Sequence, residues 1–234
     1  MKKIAGRVIA ILLILLFGFM MYISHKVIRI NDMDIPDFQP LKDDTLAEKY
    51  CPYIISNYEY EYPGAVYYRI SIDNNGNTHI AYHFFWEKEV NKNKGLVPWL
   101  TRNLYTGGIK LQEIMFGKHD IEVIGVVLDK NHNIKKVIYE SPEHYNPYDF
   151  IVKHKTNEIA DTVHTPLRFK VVSWNHLFEF VDNNYNLKKG EVELYSKPQY
   201  FSKKLWDEFS MCKKEETALQ RNRAHYAWER EYTD

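Results

Sequence analysis

"GAVYYRISIDNNGNTHIAYHFFW", residues 64–86, places two runs of β-branched and aromatic residues on either side of a polar turn. The runs are 64–72 and 78–86, and "DNNGN", 73–77, joins them. Val, Ile, Tyr, Phe and Trp suit the pleated, half-buried surface of a strand, while Asp, Asn and Gly supply turn conformations. The segment predicts an antiparallel hairpin. A second hairpin follows from "IEVIGVVL" (121–128), "DKNHN" (129–133) and "IKKVIYES" (134–141), and "RFKVVSW" (168–174) and "EVELYS" (191–196) add further strands. The expected fold is mainly β, an antiparallel β-sandwich over residues 49–201.

Working outward, residues 90–116 read as an insertion with short helical pieces. Residues 202–231 contain good helix formers, no proline or glycine, and Ser202 in a capping position, which predicts a C-terminal helix. At the other end, "VIAILLILLFGFMMYI" (8–23) is unbroken and apolar. Extended to residues 4–24, with Arg7 snorkelling, it reaches the ~20 residues that cross a bilayer as a helix. Bulky Phe19, Met20, Met21 and Tyr22 stand where a cleavable signal would carry small residues, so the segment predicts a retained transmembrane anchor. Lys2, Lys3 and Arg7 precede it, which orients the N-terminus to the cytoplasm and the domain outside a cell membrane. Residues 25–48, rich in proline and acidic residues, read as a stalk.

Of the 31 basic side chains, removing Lys2, Lys3 and Arg7 leaves 28 against 31 acidic ones. That balance argues against broad electrostatic binding to nucleic acid. Cys51 and Cys212 are the only cysteines; a disulfide between them and two free thiols both satisfy the sequence. No G-x-S-x-G elbow and no H-E-x-x-H helix is present.

Three turns repeat D-x-N-x-N: Asp73-Asn75-Asn77, Asp129-Asn131-Asn133 and Asp182-Asn184-Asn186. Glu140 and Glu193 fall at the twelfth position of the last two, as in a calcium loop, but Thr78, Ile134 and Leu187 stand where that loop needs glycine. Ordinary Asx turns are the expectation. In "AYHFFWEKE" (81–89), alternation puts Tyr82, Phe84 and Trp86 on one face, His83, Phe85 and Glu87 on the other, and Glu89 past the strand's end. In "FGKHDIEVIGVVLD" (116–129), Asp120 and Glu122 share a face ~6.5–7 Å apart along the strand, with His119 and Ile121 opposite. A hard cation between the carboxylates would relieve their repulsion; a solvated strand rim explains them without an ion.

"YHFFWEKE" (82–89), "FGKHDIEVIGVVLD" (116–129) and "SPEH" (141–144) together resemble, in order, the motifs of the necrosis- and ethylene-inducing-peptide-like proteins. Those carry Y-x-W-Y-F-P-K-D, then G-H-R-H-D-W-E running into a strand, then S-x-H-G. The resemblance spans residues 65–145. It implies a β-sandwich with a divalent cation, calcium or magnesium, that engages sugar headgroups of membrane lipids. By matching positions it implies Glu89, Asp120 and Glu122 as metal ligands, with His119 and His144 positioning the ligand. Gly117 replaces one ligand histidine, Ile121 replaces a tryptophan, and Tyr145 stands where glycine follows the histidine. Cytolytic activity does not carry over to an anchored chain.

Three functions follow as expectations. The first is a membrane-anchored, extracytoplasmic β-sandwich binding a glycan-like ligand or lipid headgroup through the cation. The second is a metal-dependent hydrolase in which the same cation activates water and a histidine moves the proton. The third is a structural envelope protein without a metal.

Overall fold

The hairpin of residues 64–86 forms as the sequence predicts and lies inside the larger of two sheets. A computed structural model describes residues 6–7, 9–18, 38–105, 119–149, 152–160 and 163–209. In chain order the elements begin with β1 (Phe38–Leu41), α1 (Asp44–Tyr50), β2 (Tyr53–Ser56), β3 (Ala65–Asp73) and β4 (Thr78–Trp86). Next come α2 (Leu96–Leu100), a π-helical turn (Thr101–Tyr105), β5 (Asp120–Leu128), β6 (Ile134–Pro142) and β7 (His154–Ala160). The chain continues through β8 (Arg168–Val171), β9 (Phe178–Phe180), β10 (Val192–Leu194), β11 (Gln199–Tyr200) and α3 (Lys203–Glu208).

The large sheet runs β1-β3-β4-β5-β6-β7, with β11 also on β3; the small sheet runs β10-β2-β8-β9. Pairing is antiparallel throughout except for β2 with β8 and β11 with β3, which are parallel. Both predicted hairpins are present. Their Asx turns work as expected: Asp73 Oδ1 accepts from the backbone N–H of Asn75 and Asn77 (2.9 and 2.8 Å), and Asp129 Oδ1 from those of Asn131 and Asn133. Asp182 does the same for Asn184. These carboxylates hold their own backbone.

Alternation along the strands decides what each sheet face buries. Val66, Tyr68, Ile70, Ile80, Tyr82, Phe84, Trp86, Ile124, Val126 and Leu128 form one core with Ile54, Phe169, Val171 and Phe178 of the small sheet. Each such aliphatic or phenyl group contributes about 1.5–3 kcal/mol on burial. The opposite face of the large sheet packs Phe85 and Ile121 against Phe201 and Trp206. There Arg69 is buried, donating from Nε to the Phe201 carbonyl (2.9 Å) with its guanidinium 4.1 Å from the Trp206 ring centre. Strand β4 is therefore covered on both faces.

Several expectations need correction. Residues 38–48 of the stalk expected over 25–48 belong instead to the folded body, because β1 pairs with β3 and α1 packs Leu46, Ala47 and Tyr50 into the core; residues 25–37 lie outside the described residues. Asp43 caps α1, and Tyr82 donates from its buried hydroxyl to the Ala47 carbonyl (2.7 Å). Strands β1, β2, β7, β9 and β11 went unread; all but β7 are four residues or fewer, too short for a periodic pattern. Ser202 does cap α3, accepting from the Leu205 N–H, but residues 210–231 of the expected helix, with Cys212, lie outside the described residues. Cys51 is a buried free thiol whose pKa burial pushes up, with Glu48 adding to the effect. Residues 9–18 are helical with exposed apolar side chains. Among the described residues no helix is long and apolar enough to cross a membrane, and the rest of the 4–24 segment lies outside them.

The Asp73 turn has a pH signature. Desolvation pushes its carboxyl up, but hydrogen bonds from the Asn77 amide, His79 and the Asn77 backbone outweigh that and lower it from 3.8 to about 2. A carboxyl depressed by folding stabilises the fold above its unfolded value and loses that contribution as pH falls through its folded value. Urea unfolding midpoints should therefore decline between about pH 4 and pH 2 in the wild type and decline less in Asp73→Asn. Asp73→Ala, which removes the acceptor altogether, should lose about 0.5–2 kcal/mol at neutral pH, the range for losing a backbone-capping side chain.

Candidate functional site

The register of β4 against β5 sets Trp86 opposite Asp120 and Phe84 opposite Glu122. Asp120 and Glu122 therefore share the inner face with Ile124 and Val126, as alternation predicts, while Ile121 packs on the outer face with Phe85. Glu122 is only 3 % exposed. On the next strands Glu140 pairs with Thr156 and Pro142 with His154, so Glu140 and His154 are diagonal neighbours across β6 and β7. Ligand-type atoms of Glu122, Glu140 and His154 all lie within 4.8 Å of one another. It is the one such grouping of three or more His, Cys, Asp or Glu side chains among the described residues.

His154 links that group to the small sheet. Its Nδ1 lies 2.7 Å from Glu140 Oε2 and its Nε2 lies 3.0 Å from Asn175 Nδ2. An amide nitrogen only donates, so Nε2 accepts and the ring proton sits on Nδ1, donating to Glu140. Asn175 is 4 % exposed and its Oδ1 has no partner among the described residues.

The loop between β8 and β9 holds Asn175 in place. The His176 N–H donates to the Ser173 carbonyl (3.1 Å), the Leu177 N–H to Ser173 Oγ (3.0 Å), and the Val172 N–H to the Leu177 carbonyl (2.9 Å). His176 itself has φ +61°. Its ring stacks on Trp86 at 4.5 Å and 6°, and its Nδ1 lies 2.5 Å from Asp120 Oδ2. Two consecutive residues of one loop thus engage two different strands of the opposing sheet.

The sequence-derived site is brought together only in part. Glu122 belongs to the grouping. Asp120 lies on the same face but bonds His176 instead. Glu89 is half-buried past the end of β4 and is not in the grouping. His119 is exposed on the other face, at φ +67°, edge-on to Phe209 at 5.2 Å. His144 is exposed in the turn after β6 at φ +55°. Glu193, the other twelfth-position glutamate, pairs with Arg168. Glu140, His154, Asn175 and His176 enter as site residues that local sequence reading missed. Only "SWNHLF" (173–178), with adjacent Asn and His between apolar residues, carried a local hint.

No protein-family model, curated protein or solved structure matches the chain.

The Asn175 bond makes a direct expectation. Nitrogen-detected NMR of the metal-free protein should show His154 as the Nδ1–H tautomer. Asn175→Ala should leave the buried Nε2 without its donor and cost about 1–3 kcal/mol in chemical denaturation, the range for an unsatisfied buried polar group.

Proposed function

We propose that the two sheets form a β-sandwich, tethered to a membrane through residues 4–24, that binds a polar or glycan-like ligand through a divalent cation. Glu122, Glu140 and His154 hold the cation. The observation carrying this reading is the convergence of two buried carboxylates and an imidazole within 4.8 Å at one end of the large sheet. Two carboxylates so close repel each other in a low-dielectric surrounding, and a cation between them removes the repulsion. Beside His154, the buried Oδ1 of Asn175 has no partner among the described residues and is a further polar group at this site.

The resemblance to the necrosis- and ethylene-inducing-peptide-like proteins supports the same end of β5, since their H-D-x-E core maps to His119, Asp120 and Glu122. The ligand set differs: Glu140 and His154 take the places that Glu89 and Asp120 would have held. The tether is supported by the apolar run 8–23 and by the exposed apolar side chains of residues 9–18.

One observation favours the hydrolase reading as the second choice. Asp120 fixes the orientation of His176 through Nδ1, the arrangement that readies an imidazole to move a proton at its other nitrogen.

Equilibrium dialysis with metal analysis tests both. The wild type should retain one divalent ion per chain, and Glu122→Gln and Glu140→Gln should each weaken retention by at least about tenfold, the loss of roughly 1.4 kcal/mol. A wild type that holds no ion removes both readings and leaves a structural β protein. Retention without turnover on an ester and glycoside panel keeps the first reading; turnover that His176→Gln abolishes while ion binding persists establishes the second.

A further inference from the structure

The identity of the ion follows from how His154 is held, an inference that rests on the cation-site reading above. We propose that Glu122, Glu140 and His154 bind a transition ion of the zinc type rather than calcium or magnesium, with His154 ligating through Nδ1 and Asn175 acting as the residue that positions its ring.

The donor set is the first argument. Calcium takes six to eight oxygens, and magnesium prefers six oxygens with several of them water. A grouping with one imidazole and two carboxylates, Glu122 at 3 % and Glu140 at 9 % exposure, offers few oxygens and little room for water. Mixed imidazole and carboxylate donors suit zinc and its first-row neighbours. Donors around an ion at ~2.1 Å stand about 3.0–3.4 Å apart, so the observed spread within 4.8 Å closes by small side-chain rotations.

The second argument is which nitrogen faces the carboxylates. His154 Nδ1 lies 2.7 Å from Glu140 Oε2, whereas Nε2 faces Asn175. In the metal-free protein the proton on Nδ1 bridges to Glu140. An ion bound at Nδ1 takes that proton's position, and the ring proton moves to Nε2, so the imidazole is neutral before and after. Nε2 then needs an acceptor. The Asn175 amide provides one by turning over, which brings Oδ1, without a partner among the described residues, to face Nε2. A metal-bound histidine whose second nitrogen donates to a fixed acceptor is the usual arrangement for such sites, and its loss weakens metal affinity by roughly 10–100-fold.

Competition titration of the full chain in mild detergent tests this with Zn²⁺, Co²⁺, Mn²⁺, Ca²⁺ and Mg²⁺ alone. Zn²⁺ should bind at least about 100-fold more tightly than Ca²⁺ or Mg²⁺, in the sense of the affinity order for nitrogen-containing sites. Co²⁺ should give visible absorption bands of a nitrogen- and oxygen-ligated ion, and NMR should show His154 switching from the Nδ1–H to the Nε2–H tautomer on Zn²⁺ binding. Asn175→Ala should weaken Zn²⁺ by 10–100-fold, while Asn175→Asp, which can only accept from Nε2–H, should restore or exceed wild-type affinity. Calcium or magnesium binding as tight as zinc overturns the inference but leaves the cation site standing. Zinc binding unchanged in His154→Gln also overturns it. No divalent binding at all removes the underlying reading as well.

Discussion

The carboxylate of Glu122 lies on the inner face of β5, and the surrounding packing leaves it nowhere else to go. A one-residue slip of β5 against β4 would bring Glu122 to the outer face, but it would also turn Ile124, Val126 and Leu128 out of the core. Turning three aliphatic side chains out of the core would cost about 1.5–3 kcal/mol each, which weighs against the effective penalty of several kcal/mol for a buried charged acid. Hydrophobic register therefore forces Asp120 and Glu122 inward, and the groups around them answer that constraint. Asp120 receives His176; Glu122 receives the company of Glu140 and His154.

Those answers come from the other sheet. The β8–β9 loop is a tight turn held by two backbone–backbone bonds and one from the Leu177 N–H to Ser173 Oγ, which fix the chain around Asn175 and His176. Its left-handed residue is His176, a conformation that costs a residue with a side chain about 1–2 kcal/mol. The stacking on Trp86 and the bond to Asp120 offset that cost and lock the ring flat against the core. Because Asn175 reaches β7 while His176 reaches β5, the site's geometry depends on the two sheets being packed in one position. Loosening the core between them would disturb both residues together.

The sequence discloses what is local and periodic. Both hairpins, their Asx turns, the two faces of "AYHFFWEKE", the Ser202 cap and the inward pairing of Asp120 with Glu122 all follow from alternation or turn chemistry over a few residues. Glu140 stands out in the sequence only as the twelfth position of a loop counted from Asp129, a spacing with the wrong physical meaning, since Asp129 holds its own turn. His154 starts a strand whose residues are mostly polar and half-exposed, so no hydrophobic period marks it. Asn175 and His176 are joined to the site across a sheet-to-sheet contact that no local pattern encodes. The resemblance to a known family points to the same end of β5 as the Glu122–Glu140–His154 grouping but also names Glu89, which lies outside that grouping, because matching by order cannot supply distance.

If the proposed tether holds, the position of the candidate site along the sheet bears on what it meets. The described domain begins at Phe38, which pairs with Asp73 at the turn end of β3. Trp86 and Asp120 stand at the opposite end of the same sheet. A nine-residue strand at ~3.3 Å per residue separates these ends by about 27–30 Å. That distance exceeds the Debye length of about 8 Å at physiological ionic strength, so under the proposed tether surface charge at the Phe38 end would be screened from the site. Under the proposed tether, the candidate site lies at the end of the large sheet remote from Phe38, where the described domain begins, which favours a polar ligand arriving from solution over a headgroup of the tethering membrane.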